Sequence, residues 1–394
     1  MEGDFIKVNE WLAPLSWFYG MGVSLRNMLF DTGVLKSRAY DVPVISVGNI
    51  TVGGTGKTPH VEYLVRLLRT QMHVAVLSRG YKRKSSGFLL ADKNTPMRDI
   101  GDEPYQMKQK FPDVEVAVDK KRTRGIELLT AGESGGKIDV VLLDDAFQHR
   151  YVKPGINILL VDYHRLIIYD RLLPAGRLRE PLKGKDRADI VIVTKCPRDL
   201  KPMEFRVITK AMGLYPYQQL FFTMLDYEEL KPVFTKEKGP LAGGTTDSLK
   251  GMNVMLLTGI ASPRQLMEDI TPHIRSVKPL TFSDHHNFTG KDLERINKAF
   301  DTLEEPRCIV TTEKDAARLK DTEGLSDDVR RNIYALPVRI RFMQDQEETF
   351  NQNIIGYVRK NSRNSILAKR KDDNKPKNGN SAGNGPRTIS FRNN

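Results

Sequence analysis

The fold is decided by the stretch VPVISVGNITVGGTGKTP at residues 42–59. Its apolar beginning, residues 42–47, predicts a buried strand, and the residues after Pro59 have the spacing of a helix. A glycine-rich turn between a strand and a helix directs backbone N–H groups and the positive end of the helix dipole toward one point. The stretch therefore predicts a phosphate-binding loop.

Two side chains of this loop have specific predicted roles. We expect Lys57 to reach the outer phosphates of a nucleotide and the Thr58 hydroxyl to ligate Mg²⁺. The usual motif has a glycine at the position of Thr51, so the loop is a variant in which Gly53 and Gly54 supply the flexibility. The predicted nucleotide-binding residues are Thr51, Val52, Gly53, Gly54, Thr55, Gly56, Lys57 and Thr58.

Further apolar runs alternate with helix-compatible stretches as far as residue 225. The runs are residues 74–77, 140–143, 156–161, 190–193 and 220–222. Runs without polar alternation are typical of parallel strands that are covered on both faces. Residues 41–225 are therefore predicted to form a doubly wound, mostly parallel α/β domain.

An acidic pair, Asp144 and Asp145, follows the run at 140–143. In nucleotide-binding sheets this edge carries the metal-binding carboxylate. Because adjacent residues of a strand face opposite sides, we expect Asp144 to face the metal and Asp145 to orient water, substrate or a neighbouring base. A simple turn aspartate is the alternative.

A second unit follows a change in composition. Residues 226–251 lose the apolar periodicity and are rich in Lys, Gly, Pro and Thr, which predicts a linker or a hairpin connection. Residues 252–360 are expected to form a smaller α/β domain. Its predicted elements are strands at 255–258, 308–311 and 334–338 and a helix at 293–303. Cys196 and Cys308 form no C-x-x-C pair, so they indicate neither a disulfide framework nor a zinc site.

The formal net charge of +13 is concentrated at the C-terminus. From Arg359 onward the chain has ten Lys and Arg against two Asp, so the remainder is only mildly basic and nucleic-acid binding is not favoured. Because residues 361–394 have few apolar side chains, we predict that they are disordered. Such a tail is either merely solvated or a weak electrostatic hold on anionic lipid headgroups.

The N-terminal segment has a different character. The run from Trp11 to Leu25 is uncharged and contains both tryptophans of the chain. With an internal proline, it is shorter than the roughly 20 residues that cross a bilayer, and the acidic start of the chain is unlike a secretory signal. Residues 1–40 are therefore predicted to be an amphipathic segment that lies on a membrane. An ordinary packed helix is the alternative.

Two further clusters carry polar chemistry. Gly101-Asp102-Glu103-Pro104 precedes a predicted helix. Alone it indicates a helix cap, but beside a phosphate-binding loop a catalytic role is favoured. Asp284-His285-His286 lacks the further Cys or His ligands of a zinc site. It favours acid–base or hydrogen-bonding service, with surface histidines as the alternative.

Several motifs in register resemble the tetraacyldisaccharide 4′-kinase family. They are GNITVGGTGKTP (48–59), SRGY (78–81), GDEP (101–104), LDDAFQHR (143–150), LLPAGRLREP (172–181), DHHNF (284–288) and TTEKDAARL (311–319). Their order matches the family as well, and the resemblance covers residues from about 11 to 358.

The resemblance implies a fold and a reaction. The fold is two α/β/α domains joined by a small β linker, with an N-terminal membrane-associated helix. The reaction is transfer of phosphate from ATP, with Mg²⁺, to the 4′-hydroxyl of a tetraacylated glucosamine disaccharide 1-phosphate in lipid A biosynthesis. The enzyme is expected to be a monomer on the cytoplasmic face of the bacterial inner membrane.

The resemblance also implies site residues. Asp102 is similar to the residue that accepts or orients the proton of the attacking hydroxyl, and domain closure would bring His285 to hold or tune it. Lys57 and Mg²⁺ should contribute most to catalysis. The expected metal ligands are Thr58, Asp144 and Glu103, and the expected substrate-binding residues are Asp145, Gln148, His149 and Arg179, with Arg150 close by. Arg177 departs from the family, which more often has proline there.

Two other classes remain open from the residues alone. A nucleotide-dependent switch or ATPase with a protein partner is one, since residues 193–196 resemble a base-recognition N/T-K-x-D element that lacks its aspartate. An adaptor that relies on the basic tail is the other. Stoichiometric transfer of phosphate to a glycolipid separates a kinase from a switch.

Overall fold

Two β-sheets organise the chain. The computed structural model describes residues 8–132, 137–234, 239–260, 263–284, 286–320 and 322–373, with side chains described through Ser362. The first sheet has nine strands: β1 (Val44–Gly48), β2 (Val74–Ser78), β3 (Leu89–Ala91), β4 (Glu115–Val118), β5 (Val140–Asp144), β6 (Ile156–Asp162), β7 (Ile190–Thr194), β8 (Gln219–Tyr227) and β14 (Val338–Phe342). Their spatial order is β14-β8-β7-β6-β1-β5-β2-β4-β3.

The second sheet is smaller and has five strands. They are β9 (Lys231–Pro232), β10 (Asn253–Thr258), β11 (Ser276–Thr281), β12 (Arg307–Thr311) and β13 (Ile333–Ala335), in the order β11-β10-β12-β13-β9. In each sheet the edge pairs β3–β4, β8–β14 and β9–β13 are antiparallel and the other pairs are parallel. The predicted mostly parallel α/β fold is confirmed.

Helices cover both sheets. They are α1 (Ala13–Asp31), α2 (Lys57–Leu68), α3 (Met97–Ile100), α4 (Asp102–Lys110), α5 (Arg122–Thr130), α6 (Pro202–Met212), α7 (Arg264–Ile270), α8 (Gly290–Asp301), α9 (Glu313–Leu319), α10 (Asp327–Asn332) and α11 (Glu347–Asp373). Along β5, Val140 and Leu142 enter one core cluster, whereas Val141 and Leu143 enter another on the opposite face. Burial on both faces explains why these strands lack polar alternation.

The register of the central strands defines one edge for the site. Strand β1 pairs in parallel with β5, and Val47 lies opposite Asp144. The loop that follows β1 and the carboxylate that ends β5 therefore emerge side by side at the carboxyl edge of the sheet.

The C-terminal segment joins the first sheet. Strand β14 pairs with β8 from Val338↔Tyr227 to Phe342↔Thr223, and Phe350 and Ile354 of α11 are buried in the first core. Our prediction that residues 252–360 form one unit is therefore wrong for residues from 338 onward. A short edge strand contains no local signal for the sheet that it joins.

Two other predicted boundaries differ in the structure. Helix α11 continues to Asp373, so the prediction of disorder from residue 361 is wrong for residues 361–373. The rest of the predicted tail, residues 374–394, lies outside the described residues. Within the predicted linker, residues 226–227 complete β8 and residues 231–232 form β9.

The nine-stranded sheet with the helices packed on it is called the first unit below, and the five-stranded sheet with its helices the second unit. Helix α1 is attached to the first unit, while much of its apolar surface faces solvent. The Ser16 hydroxyl donates to Leu172 O at 3.0 Å, and Arg150 pairs with Asp31 at 2.6 Å. The exposed apolar side chains of this segment include Trp11, Leu15, Trp17, Phe18, Met21, Leu25 and Met28. Of the helices in the described ranges, none has the length and apolar character required to span a bilayer.

Candidate active site

The phosphate-binding loop has the backbone that its glycines predict. Gly53 and Gly56 have φ values of 122° and 78°, which favour glycine. Thr51, in the place of the usual glycine, is buried, and its hydroxyl accepts from the Asn49 side-chain amide at 3.4 Å. The same amide donates to Thr55 Oγ1 at 2.9 Å. Asn49 thus stabilises the variant loop by bonding to the side chains of Thr51 and Thr55.

Residues at the end of β7 donate hydrogen bonds to the backbone of the loop. The Lys195 ammonium, after β7, donates to Gly54 O and to Asp162 Oδ2, the latter at 2.7 Å. The Thr194 hydroxyl donates to Thr55 O at 3.1 Å. The Val193–Cys196 segment therefore supports the loop backbone through Thr194 and Lys195.

The loop lysine lies beside the second aspartate of the acidic pair. Lys57 Nζ is 3.4 Å from Asp145 Oδ1, and Arg179 Nη1 is 3.9 Å from Asp145 Oδ2. Asp145 has a φ of 48°, in the left-handed region that ends the strand. Its carboxylate therefore lies between two cations at the mouth of the loop.

The first aspartate of the pair has a different environment. Asp144 is buried, and its Oδ1 has no hydrogen-bond partner among the described residues. Burial, followed by the nearby charges of Glu103 and Asp145, raises the pKa of Asp144 to about 7. A buried carboxylate that is surrounded by other carboxylates favours a cation as its partner.

The Asp102–Glu103 pair begins α4 and faces the second unit. Gly101, with a φ of 91°, occupies the cap position, and Asp102 is the first helical residue. Arg318 Nη2 bonds to Asp102 Oδ2, and Lys314 Nζ donates to Glu103 Oε1 at 3.3 Å. The carboxylates are therefore paired across the two units. His285, the predicted partner of Asp102, lies outside the described residues.

The segment predicted for the substrate headgroup is in part structural. Gln148 O accepts from Arg26 at 3.1 Å, and Arg150 bonds to Asn27 O at 2.9 Å. Both contacts attach α1 to this segment. Burial and the nearby charge of Arg122 lower the pKa of His149 to about 4, so its imidazole is neutral at pH 7. Arg179 O accepts from the Tyr19 hydroxyl at 2.7 Å.

Sequence reasoning gave no role to several charged residues near the site. Arg122, buried at the start of α5, donates to Asp144 O at 3.2 Å. Lys314 and Arg318 are one turn apart on α9, a spacing visible in TTEKDAARL, but sequence alone does not identify their partners. From the sequence, Lys195 is recognisable only as part of the segment that resembles a base-recognition element.

The strand, loop and helix, with a buried carboxylate at the end of the adjacent strand, define a P-loop nucleotide-binding protein. Comparisons with known proteins identify the group more closely. The family model described as tetraacyldisaccharide-1-P 4′-kinase matches residues 8–358. The chain belongs to this family.

Relatives and a solved structure agree with the family match. The tetraacyldisaccharide 4′-kinase of Phocaeicola vulgatus is 59% identical over 370 residues, which cover 93% of this chain and 99% of that protein. The enzyme of the same name from Bacteroides fragilis strain ATCC 25285 is 53% identical over 381 residues, with coverage of 95% and 100%. The crystal structure of LpxK from Aquifex aeolicus in complex with ATP is 30% identical, has a TM-score of 0.65, and covers 89% of this chain and 99% of that chain.

Proposed function

We propose that this chain transfers the γ-phosphoryl group of ATP to the 4′-hydroxyl of tetraacyldisaccharide 1-phosphate, which yields the bis-phosphorylated lipid A precursor. Family membership supports the reaction. The structural observation that carries the proposal is the position of the loop and the acidic residues at one edge of the sheet. Val47, which leads into the loop, pairs with Asp144, and Lys57 lies 3.4 Å from Asp145. Gly101, which precedes the Asp102–Glu103 pair, packs against Tyr81 just after β2, the strand beside β5.

The loop binds the nucleotide phosphates in this proposal. Backbone N–H groups of residues 51–58 and the first turn of α2 face the phosphate oxygens. Lys57 leaves Asp145 to contact the β- and γ-phosphates, and Asp145 is then available to the acceptor. Because phosphoryl transfer has a loose transition state, these charges and positions contribute more than proton removal does.

Thr58 and Asp144 suit Mg²⁺, with Glu103 as a further ligand directly or through water. The residues fit because the buried Asp144 oxygen lacks a protein partner and a cation would offset its neighbouring negative charges. Among the described residues no group of three His, Cys, Asp or Glu forms a ready metal cluster. A P-loop site does not need one, since Mg²⁺ takes its remaining ligands from phosphates and water and neutralises the charge on the phosphates.

Asp102 orients the attacking hydroxyl, and His285 assists it from the second unit. The headgroup contacts are assigned to Asp145, Gln148, His149 and Arg179. His149, neutral at pH 7, serves there by hydrogen bonding and not by charge.

The acceptor is a lipid, so we assign residues 1–40 to contact with the cytoplasmic face of the inner membrane and expect a monomer. Exposed Trp11 and Trp17 suit the headgroup boundary. Tyr19 joins the same helix to Arg179, so a membrane-bound α1 would hold the headgroup close to the site. Residues 41–225 then bind the nucleotide, and residues 226–251 connect them to the second unit.

The direct test is transfer of labelled γ-phosphate from ATP to purified tetraacyldisaccharide 1-phosphate in detergent. Wild type should label the lipid, while Lys57→Met, Asp102→Asn and Asp144→Asn should lose about a hundredfold or more of kcat/KM. Lys210→Met, a change at an exposed lysine on α6, is the matched control and should behave as wild type. Acceptor-independent hydrolysis of ATP with no labelled lipid would instead favour the nucleotide-switch class.

A further inference from the structure

We propose that Arg318 is a positioning residue that connects the second unit to Asp102 and fixes the carboxylate for the acceptor hydroxyl. The inference rests on the proposed kinase function, because it gives Asp102 its role. Arg318 belongs to α9, whereas Asp102 begins α4 in the first unit. Their side chains form an ion pair across the boundary between the units.

Arg318 is itself held by the core of the second unit. Its side chain is 3% exposed, and its Nη1 lies 3.0 Å from Asp315 Oδ1. Asp315 is fully buried and accepts from Gly259 N at 2.9 Å and from the Thr312 hydroxyl at 2.8 Å. Nη1 also donates to Gly259 O at 3.4 Å. The guanidinium is therefore fixed to the end of β10 as well as to its own helix.

The two terminal nitrogens of the Arg318 guanidinium bond to different units. Nη1 faces Asp315 and Gly259, and Nη2 faces Asp102. A planar guanidinium transmits orientation better than a lysine ammonium, since its donors have a fixed relative direction. A shift of the second unit must then change the direction of the Asp102 carboxylate.

The neighbouring carboxylate has a similar arrangement. Lys314, one turn before Arg318, lies 3.3 Å from Glu103 Oε1 and 3.8 Å from Asp284 Oδ1. One face of α9 therefore presents a cation to each member of the Asp102–Glu103 pair. Asp284 directly precedes His285, so the same face of α9 also contacts the segment that contains the proposed partner of Asp102.

An ion pair with arginine favours an orienting role for Asp102. Arg318 bonds to Asp102 Oδ2, and a carboxylate has a second oxygen that can accept from a hydroxyl. A loose phosphoryl-transfer transition state requires little proton removal before attack and depends on alignment. Holding Asp102 in one direction therefore favours the reaction by alignment.

The same two helices provide a matched control. Lys110 of α4 pairs with Glu313 of α9 at 2.8 Å, also across the boundary between the units. Glu313→Gln removes a cross-boundary charge pair without removing the contact to Asp102. A purely structural role for Arg318 predicts that the Glu313 and Arg318 variants lose activity in proportion to their loss of stability.

The experiment measures labelled transfer to the lipid acceptor for wild type, Arg318→Met, Arg318→Lys and Glu313→Gln, with ATP affinity and thermal unfolding for each. We expect kcat of Arg318→Met to fall by about 10–100-fold, with KM for ATP within about twofold, since a misdirected group slows the chemical step. Arg318→Lys should recover part of kcat, and Glu313→Gln should keep nearly all of it.

Wild-type kcat in Arg318→Met would overturn the inference, as would equal losses in Glu313→Gln. A kcat for Arg318→Lys no higher than that of Arg318→Met, at similar unfolding temperatures, would also count against it. Failure of wild type itself to label the lipid would refute the proposed function, a result distinct from the other three.

Discussion

His60 Nε2 lies 3.1 Å from Thr223 Oγ1, and His60 Nδ1 lies 2.7 Å from Gly56 O. The imidazole thus links the phosphate-binding loop to β8, the strand that pairs with β14 and ends where the chain leaves for the second unit. The ring is buried, and burial lowers the pKa of His60 to about 4. It is therefore neutral in the folded protein at physiological pH.

The buried imidazole predicts a specific pH dependence of stability. Its pKa is about 4 when folded and 6.5 in the reference state, so the unfolded chain binds the extra proton between these values. The contribution of His60 to the free energy of unfolding is fully present above pH 6.5. It decreases as the pH falls toward 4, by about 3 kcal/mol at most. Urea unfolding at pH 4.5 to 7.5 should show a shallower acid decline in His60→Gln than in wild type.

Some acid decline should remain in that variant, because His149 has a pKa that is lowered in the same direction. A wild-type protein and a His60→Gln variant with parallel pH profiles would contradict the assignment of a neutral, buried ring. Thr223→Val is a useful second variant, since it removes one partner of His60 and leaves the titrating group.

Gly48 is expected to be intolerant of a side chain. A Cβ at Gly48 would lie 2.7 Å from the Phe147 backbone N and 2.8 Å from its Cβ. Gly48→Ala must therefore displace backbone where the loop begins, with an expected loss of about 1–3 kcal/mol in the free energy of unfolding. Chemical denaturation measures this loss, and nucleotide affinity should decrease with it.

Gly356 provides the control for this change. It lies in α11, and a Cβ there would meet nothing within 4 Å. Gly356→Ala should stabilise the helix by about 0.5–1 kcal/mol, because alanine has the higher helix propensity. A Gly48→Ala variant as stable as wild type would show that Phe147 can move away.

The fold was largely predictable because its strongest signals are local. The buried runs at 42–47 and 140–143 and the glycine-rich loop follow from periodicity and backbone geometry within a few residues. The destination of β14 was not predictable, since its short sequence fits the edge of either sheet. Arg318 shows the same limit in the site, because its partner Asp102 is distant in sequence and only tertiary packing brings them together.

Lys195 is predicted to tune nucleotide binding through the loop backbone. Lys195→Met leaves Gly54 O and the Asp162 carboxylate without their common donor. Hydrogen bonds with a charged partner contribute about 1–3 kcal/mol, and we expect a loss in this range. Part of this loss should appear as an increase in KM for ATP of about tenfold, with a smaller effect on KM for the lipid.

Lys185 is the matched control for Lys195. Its side chain is 11% exposed against 10% for Lys195, and it bonds to Gly213 O at 2.9 Å and to Asp186 at 3.3 Å. Lys185→Met should therefore lose comparable stability while its KM for ATP stays near the wild-type value. Equal KM changes in the two variants would reject a specific role for Lys195.

Helix α1 and its preceding turn contain both tryptophans of the chain, so intrinsic tryptophan emission reports on this segment alone. Trp11 is 94% exposed and Trp17 is 63% exposed. Adding vesicles of mixed neutral and anionic phospholipid should shift the emission to shorter wavelength, because the indole rings enter the headgroup boundary.

Phe18 and Leu25 are exposed on the same helix, and burial of each would contribute about 1.5–3 kcal/mol to binding. The double variant Phe18→Glu with Leu25→Glu should therefore sediment with vesicles at least about tenfold more weakly than wild type. Met203→Glu changes a residue of α6 that is 66% exposed, and it should bind vesicles as wild type does. Unshifted emission in wild type, or equal sedimentation of wild type and the double variant, would mean that this apolar surface does not contact the membrane.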